Sequence, residues 1–243
     1  MLDNGRESGT ARKKMNESNF SIVQIGAHLG DESREAIKEG KACLLVEPVP
    51  YLFSALLEKY AKKSNVLLEQ AVVSDEPGEV NFYYFPKREN LENSDKFPFW
   101  ADQIGSLDQS HLIVLGRQSG FPQGFEKQII SQKIQSMSAM QLFKKHGIKK
   151  VEKLIIDTEG FDVDIIFSID FHKIEIDELV FERKHTDGVR QTRYRYNKTI
   201  HFLKSIGYQV KKLDHQNDIA TLRSDWKKIR TRKHRSEQLK QAK

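Results

Sequence analysis

Val23-Gln24-Ile25-Gly26-Ala27-His28-Leu29-Gly30-Asp31 carries an apolar strand straight into a glycine pair and then into an acidic helix start. The run 20–25 (FSIVQI) reads as a strand covered on both faces, because its apolar, β-branched character is nearly continuous rather than alternating. Glycines at the end of such a strand let the backbone turn sharply and approach a ligand, while the amides of the following helix face it. Residues 31–39 supply good helix formers with acids in the first turn, which suits the helix dipole, and they stop at Gly40.

Further along, 42–46 is a second buried strand. Residues 51–62 then form an amphipathic helix with Leu52, Ala55, Leu56 and Tyr60 at helical spacing, and 66–72 is a third strand. Strand, helix, strand, helix, strand implies parallel pairing through right-handed crossovers, hence an α/β fold with a Rossmann-like, doubly wound sheet. Glu47 closes the second strand 21 positions after Gly26, near the spacing of about 20 at which an acid reaches ribose hydroxyls. Two ligands fit such a pocket: a dinucleotide, or the nucleoside part of S-adenosylmethionine. A dinucleotide site needs G-x-G-x-x-G so that the backbone can reach the pyrophosphate, and here His28 stands where the second glycine belongs. That disfavours NAD or FAD and leaves an NAD-dependent oxidoreductase as an alternative. The His28 ring either lies over the cofactor or is packed and hydrogen-bonded.

Residues 79–85 read as another strand, after the turn at Glu76-Pro77-Gly78. Regularity then lapses over 86–124, where Pro, Gly and Asn surround Phe97-Pro98-Phe99-Trp100. A long irregular insertion in a compact domain is usually functional, so 86–124 is expected to be a lid or a substrate-facing segment. Phe99 and Trp100 serve there either as packing or as a stacking platform. Order is expected again in a helix at 138–146, a strand at 153–156, a helix at 161–169, a strand at 179–182, a helix at 194–205 and a terminal hairpin of 208–213 with 219–223.

The run Ile156-Asp157-Thr158-Glu159-Gly160-Phe161-Asp162 places three acids just past an apolar strand, at the sheet edge where open α/β folds bind ligands. Asp162 suits a helix cap or first-turn acid. Asp157 and Glu159 repel one another in a cleft and call for a function or a cation. Glu182 and His185 follow the fifth strand at the same edge. Asp157, Glu159, Glu182 and His185 are therefore the candidate catalytic residues, and the same four are the ligand set if a divalent metal is used, the less favoured alternative.

Bulk properties bound this reading. The 243 residues, 38% hydrophobic and 30% charged with a mean hydropathy of −0.61, fit one polar globular domain at 19–223 flanked by tails. The opening stretch, residues 1–18, is expected to be disordered and has no apolar secretion signal, so a cytoplasmic protein with no membrane span is expected. The single Cys43 has no cysteine to pair with and reads as a small buried hydrophobe. Residues 224–243 hold eight basic residues against Asp225 and Glu237, which accounts for the whole formal charge of +6. That basic tail is either a solvated helix end or a docking arm, and the arm would make the chain a nucleic-acid binder or an RNA-directed methyltransferase.

Six stretches in order resemble the FkbM-type family of class I S-adenosylmethionine-dependent methyltransferases: VQIGAHLGD (23–31), LLVEPVPYLF (44–53), AVVSDEPGEVNFYYFP (71–86), WADQIGSL (100–107), LIIDTEGFDVDII (154–166) and VFERKH (180–185). The resemblance implies a seven-stranded, mostly parallel sheet with an antiparallel last strand. It implies S-adenosylmethionine as the cofactor and O-methylation of a hydroxyl on a sugar or other small molecule. Carried over by position, Gly26, Ala27 and Gly30 would be the wall under the cofactor's methionine and ribose, Glu47 the ribose ligand, Ser74 and Asp75 near the adenine, and Asp157 and Glu159 at the reaction centre; His28 and Asp157 are further candidate cofactor-binding residues. Gln24 departs from the pattern, because many class I enzymes carry an acid there to grip the amino group of the cofactor.

Overall fold

The computed structural model describes residues 18–228. Strand β1 (Asn19–Ile25) lies inside a seven-stranded sheet, third from one edge. On one side of it come β2 (Cys43–Val46) and β3 (Val66–Glu69), both parallel to it, with Ile22 opposite Cys43 and Ile25 opposite Val46. Helices α1 (Arg34–Lys38) and α2 (Pro50–Tyr60) make the two crossovers. These five elements form because the strands are apolar on both faces and the helices present one apolar stripe: Leu52, Leu56 and Tyr60 of α2 are all buried.

A second, smaller sheet contains β4 (Val72–Val73), β5 (Gly78–Tyr84), β6 (Gly105–Ser106) and β7 (Ile130–Met137), in the order β4-β7-β5-β6. Helix α3 (Gln109–Gln118) follows β6, and α4 (Ala139–Lys145) follows β7, opened by a capping box between Ser138 and Gln141. The chain then re-enters the large sheet with β8 (Lys150–Ile156), which pairs parallel to β1, and passes through α5 (Asp162–Ser168) to β9 (Glu175–Glu182). Helix α6 (Tyr194–Ser205) leads to β10 (Tyr208–Lys212) and β11 (Asn217–Leu222). The full order is β10-β11-β9-β8-β1-β2-β3, with β11 inserted antiparallel between β9 and β10.

The sheet therefore grows in opposite directions from the β1–β8 pair, so the topological switch point lies between the carboxyl ends of β1 and β8, where open α/β sheets open a crevice. The expected α/β architecture, mostly parallel with a reversed last strand, is the one observed.

Several local expectations are corrected. The helix expected at 31–39 is confined to Arg34–Lys38, because the hydroxyl of Ser33 donates to Gln24 Oε1 (2.6 Å) instead of capping a longer helix. The strand expected over 66–72 ends at Glu69, and Val72–Val73 pairs with β7 in the other sheet. β7 is largely solvent-exposed and polar, so neither apolar continuity nor clean alternation marks it. The 86–124 segment is not irregular throughout. It contains β6 and α3, and the Arg88 guanidinium clamps its first loop by donating to the carbonyls of Ser94 (2.8 Å), Phe97 (3.1 Å) and Pro98 (2.9 Å). Phe85, Phe97, Phe121 and Phe125 form a satellite apolar cluster there, with ring centroids 5.0–6.2 Å apart.

Cys43 is fully buried, and burial pushes its thiol up to about 11, as an inert core residue requires. Among the described residues, no helix is long and apolar enough to cross a membrane. The expected disorder at the amino end and most of the basic tail, residues 1–17 and 229–243, lie outside the described residues. The described start of that tail is docked: Trp226 packs on the main core, and Lys227 Nζ lies 2.5 Å from Asp177 Oδ1.

Candidate active site

A cavity of about 570 Å³ opens at the switch point, between the carboxyl ends of β1, β2, β8 and β9 on one side and the 86–124 segment on the other. Clefts of roughly 300–1,000 Å³ hold small-molecule ligands in folded proteins.

One end is built mainly of backbone. Gly26 has φ +80°, and a Cβ there would lie 1.8 Å from the Asp157 carbonyl oxygen, so only glycine lets β1 pass this close to β8. The amides of Gly26 (3.0 Å) and Ala27 (2.9 Å) both donate to the Val46 carbonyl. His28 follows with φ +48° and donates its amide to Glu47 Oε2 (2.8 Å), while the Val49 amide donates to Glu47 Oε1 (2.9 Å). Glu47 is only 4% exposed. Burial pushes its carboxyl up to about 7, against the two amide bonds that favour its charged form. Gln24, fully buried behind this wall, donates from Nε2 to Glu32 Oε2 and accepts from Ser33, so that Glu32 brings a carboxylate to the cavity where Gln24 has none.

Gly26, Ala27, His28 and Glu47 thus line the cavity together. Gly30 does not: its φ of +70° serves a turn whose Cα packs against Leu45, Leu56 and Tyr60. Ser74 and Asp75 lie at a shallow depression that adjoins the cavity through Leu107 and Phe161, where Ser74 Oγ donates to the Glu76 carbonyl (2.8 Å).

The other end is built of side chains. Asp157, Glu159, Glu182 and His185 all line it, as the two strand ends require, and the buried His111 of α3 backs Glu159 and His185 from behind that lining. Asp162 lies in the first turn of α5, not in the cavity. Its Oδ1 accepts from the amide (2.9 Å) and hydroxyl (2.6 Å) of Thr158, and its Oδ2 accepts from the Glu182 amide (2.7 Å), so it ties the β8–α5 turn to the end of β9. Burial pushes it up to about 6 in spite of those bonds.

The remaining acids differ sharply in charge. Burial, followed by repulsion from Glu159, Asp157 and Asp162, pushes Glu182 up to about 10, so it is protonated at neutral pH. Asp157 is raised well above the usual carboxylate range by burial and then by Glu159. Glu159 goes the other way: burial opposes its charge, but the adjoining His111 ring and then Lys184 lower it, so it is the ionised member. Its Oε2 lies 3.5 Å from His111 Nε2, and neither atom has a hydrogen-bond partner. Burial pushes His185 down to about 4. Its Nδ1 accepts the Arg190 amide (3.1 Å), which leaves the proton of the neutral ring on Nε2, 3.6 Å from Glu182 Oε1.

Among the described residues, the group whose ligand-type atoms lie within 4.8 Å of one another is His111, Glu159 and His185. The metal set expected from sequence, Asp157, Glu159, Glu182 and His185, is therefore not the set that the fold gathers. His111 went unread because it is an isolated histidine inside the segment that seemed irregular, and Glu32 because it read as a first-turn acid; neither has a motif around it.

A family profile described as the methyltransferase FkbM domain matches residues 24–210, which spans both ends of the cavity. The chain belongs to the FkbM methyltransferase family. Among curated proteins none matches the chain. Solved structures with a similar arrangement include precorrin-6y C5,15-methyltransferase from Geobacter metallireducens, 14% identical over 84% of this chain and 80% of that one, with a TM-score of 0.39. Fibrillarin from Aeropyrum pernix, solved with natively bound S-adenosyl-L-methionine, is 11% identical over 85% of this chain and 69% of its own, TM-score 0.40. Methanococcus jannaschii fibrillarin is 10% identical over 86% and 70%, TM-score 0.43. At such identities and scores these structures say nothing of the acceptor of this FkbM methyltransferase. In the FkbM chain a backbone-lined end and an end lined by Asp157, Glu159, Glu182 and His185 share one cavity.

Proposed function

We propose that the chain binds S-adenosylmethionine at the Gly26–Glu47 end and methylates a hydroxyl oxygen of a sugar or other small molecule held at the His111–Glu159 end. The observation that carries this reading is Glu47, a buried carboxylate at the end of β2 with one amide on each oxygen. Each oxygen keeps acceptor capacity, which suits the two hydroxyls of a ribose. Glu32, beside Gln24, is positioned to take the cofactor's ammonium group, and the Ala27–His28 turn would lie along its ribose and methionine portion.

S-adenosylmethionine supplies an electrophilic methyl on a sulfonium sulfur. The protein's part is to align an acceptor oxygen behind that methyl and to take the hydroxyl proton. Glu159 is the group fitted to take it, since it is ionised and its Oε2 is unpartnered. Protonated Glu182 and the Nε2–H of His185 are donors and orient the acceptor rather than deprotonate it. The 86–124 segment forms the acceptor-side wall, where Phe99, 76% exposed, and Trp100 offer aromatic faces to a sugar ring at the cavity mouth.

The test is calorimetric titration of the purified chain with S-adenosylmethionine and, separately, with NAD. Micromolar binding of the first and none of the second is expected. Preference for NAD would overturn the reading in favour of an oxidoreductase.

A further inference from the structure

We propose that the acceptor end is also a divalent-metal site, with His111, Glu159 and His185 as its three protein ligands. The three come from separate segments: α3, the turn after β8, and the loop after β9. Their ligand-type atoms nevertheless converge within 4.8 Å of one another. Two ligands on one ion with bonds of about 2.1 Å sit roughly 3–4 Å apart, so closing the triad on an ion takes small side-chain movements.

Two independent features point to a missing partner. His111 is 7% exposed, and its Nε2 and the Glu159 Oε2 facing it stand 3.5 Å apart with no hydrogen bond to any other group. Buried polar atoms left unpaired are costly, and an ion between them removes that cost. Glu159 also adopts φ +53°, a left-handed conformation that a non-glycine residue seldom holds. Backbone strain of this kind gathers at working sites.

Two imidazoles and one carboxylate on one face of an ion leave its other positions open, and this donor set suits manganese, iron(II), cobalt or zinc better than magnesium or calcium. Loading requires one exchange. His185 presents a protonated Nε2 while its Nδ1 accepts the Arg190 amide. The ring proton must move to Nδ1 and the Arg190 bond must be given up, after which Nε2 can ligate. Arg190 itself has φ +57°. The ion would therefore be linked to the conformation of the 186–191 loop, which borders the cavity. Its use, binding and acidifying the acceptor hydroxyl so that Glu159 acts as ligand rather than base, rests on the functional reading above. Its binding does not.

The experiment is metal analysis of the purified chain, followed by calorimetric titration of chelator-treated protein with Mn(II), Co(II), Zn(II) and Mg(II). One equivalent of a transition ion with micromolar affinity is expected, with Mg(II) weaker. His111→Gln and Glu159→Gln should each weaken binding about 100-fold, while S-adenosylmethionine affinity and the circular dichroism spectrum stay as in the wild type. A Co(II) absorption spectrum lost in His111→Gln identifies the imidazole as a ligand even if Glu159→Gln fails to fold. Absence of stoichiometric binding, or binding indifferent to both substitutions, would overturn the proposal. Failure to bind S-adenosylmethionine, with metal binding intact, would instead sink the functional reading.

Discussion

At the β1–β2 end of the cavity the polar groups are mostly main chain: the amides of His28 and Val49 hold Glu47, and those of Gly26 and Ala27 are spent on Val46. At the β8–β9 end they are side chains, with His111, Glu159, Glu182 and His185 crowded together and three of their atoms unpaired. Main-chain groups are fixed by the sheet and cost nothing to organise when a ligand arrives, which suits a cofactor whose shape never varies. Crowded titratable side chains store electrostatic stress instead, and stressed groups are the ones that move protons.

Four changes probe that division. Replacing Glu159 by Gln should have the largest effect, lowering kcat for methyl transfer by about 10²–10⁴-fold, measured as S-adenosylhomocysteine release with a responsive acceptor. Next comes Gly26→Ala. Its Cβ would meet the Asp157 carbonyl at 1.8 Å in a left-handed backbone, and a loss of about 3 kcal/mol is expected in denaturant unfolding. Unchanged stability would mean that β1 and β8 are not held as described.

The third is a pH test that separates folding from binding. Glu47 stands at about 7 in the fold against an ordinary 4.5, so burial favours its protonated form. Its contribution to stability is complete below 4.5 and is lost as pH rises through 7. Ribose hydroxyls favour the charged form, so affinity for S-adenosylmethionine should move oppositely, rising up to roughly tenfold per pH unit towards 7 and then levelling. The smallest effect belongs to Phe99→Ala: a several-fold rise in acceptor KM with kcat and stability unchanged, because the ring is exposed and packs on little.

The same contrast explains what could be read from the amino acids. The first end comes from one strand-helix-strand unit, residues 23–49, so the distance from Gly26 to Glu47 along the chain reports their distance in space. The strand-helix-strand pattern of residues 20–72 followed from apolar runs for the same reason. The second end joins segments around residues 111, 159 and 185, and no local pattern encodes their meeting. Asp157, Glu159, Glu182 and His185 were legible only as acids and a histidine ending strands; their opposed charge states depend on packing. Gly30 misled because a glycine in a turn looks the same whether it faces a ligand or, as here, Leu45 and Tyr60. β7 stayed invisible because an exposed strand needs no apolar period.

The separation of tasks between the two ends is tested most directly by S-adenosylmethionine affinity measured side by side in wild type, Glu47→Ala and Glu159→Gln. Glu47→Ala strips the acceptors from two buried amides and the proposed ribose, and about a 100-fold loss is predicted, equivalent to roughly 3 kcal/mol. Glu159→Gln should bind within about twofold of wild type, since the substitution is isosteric and remote from the cofactor end. Equal losses in both variants, or wild-type affinity in Glu47→Ala, would contradict the division.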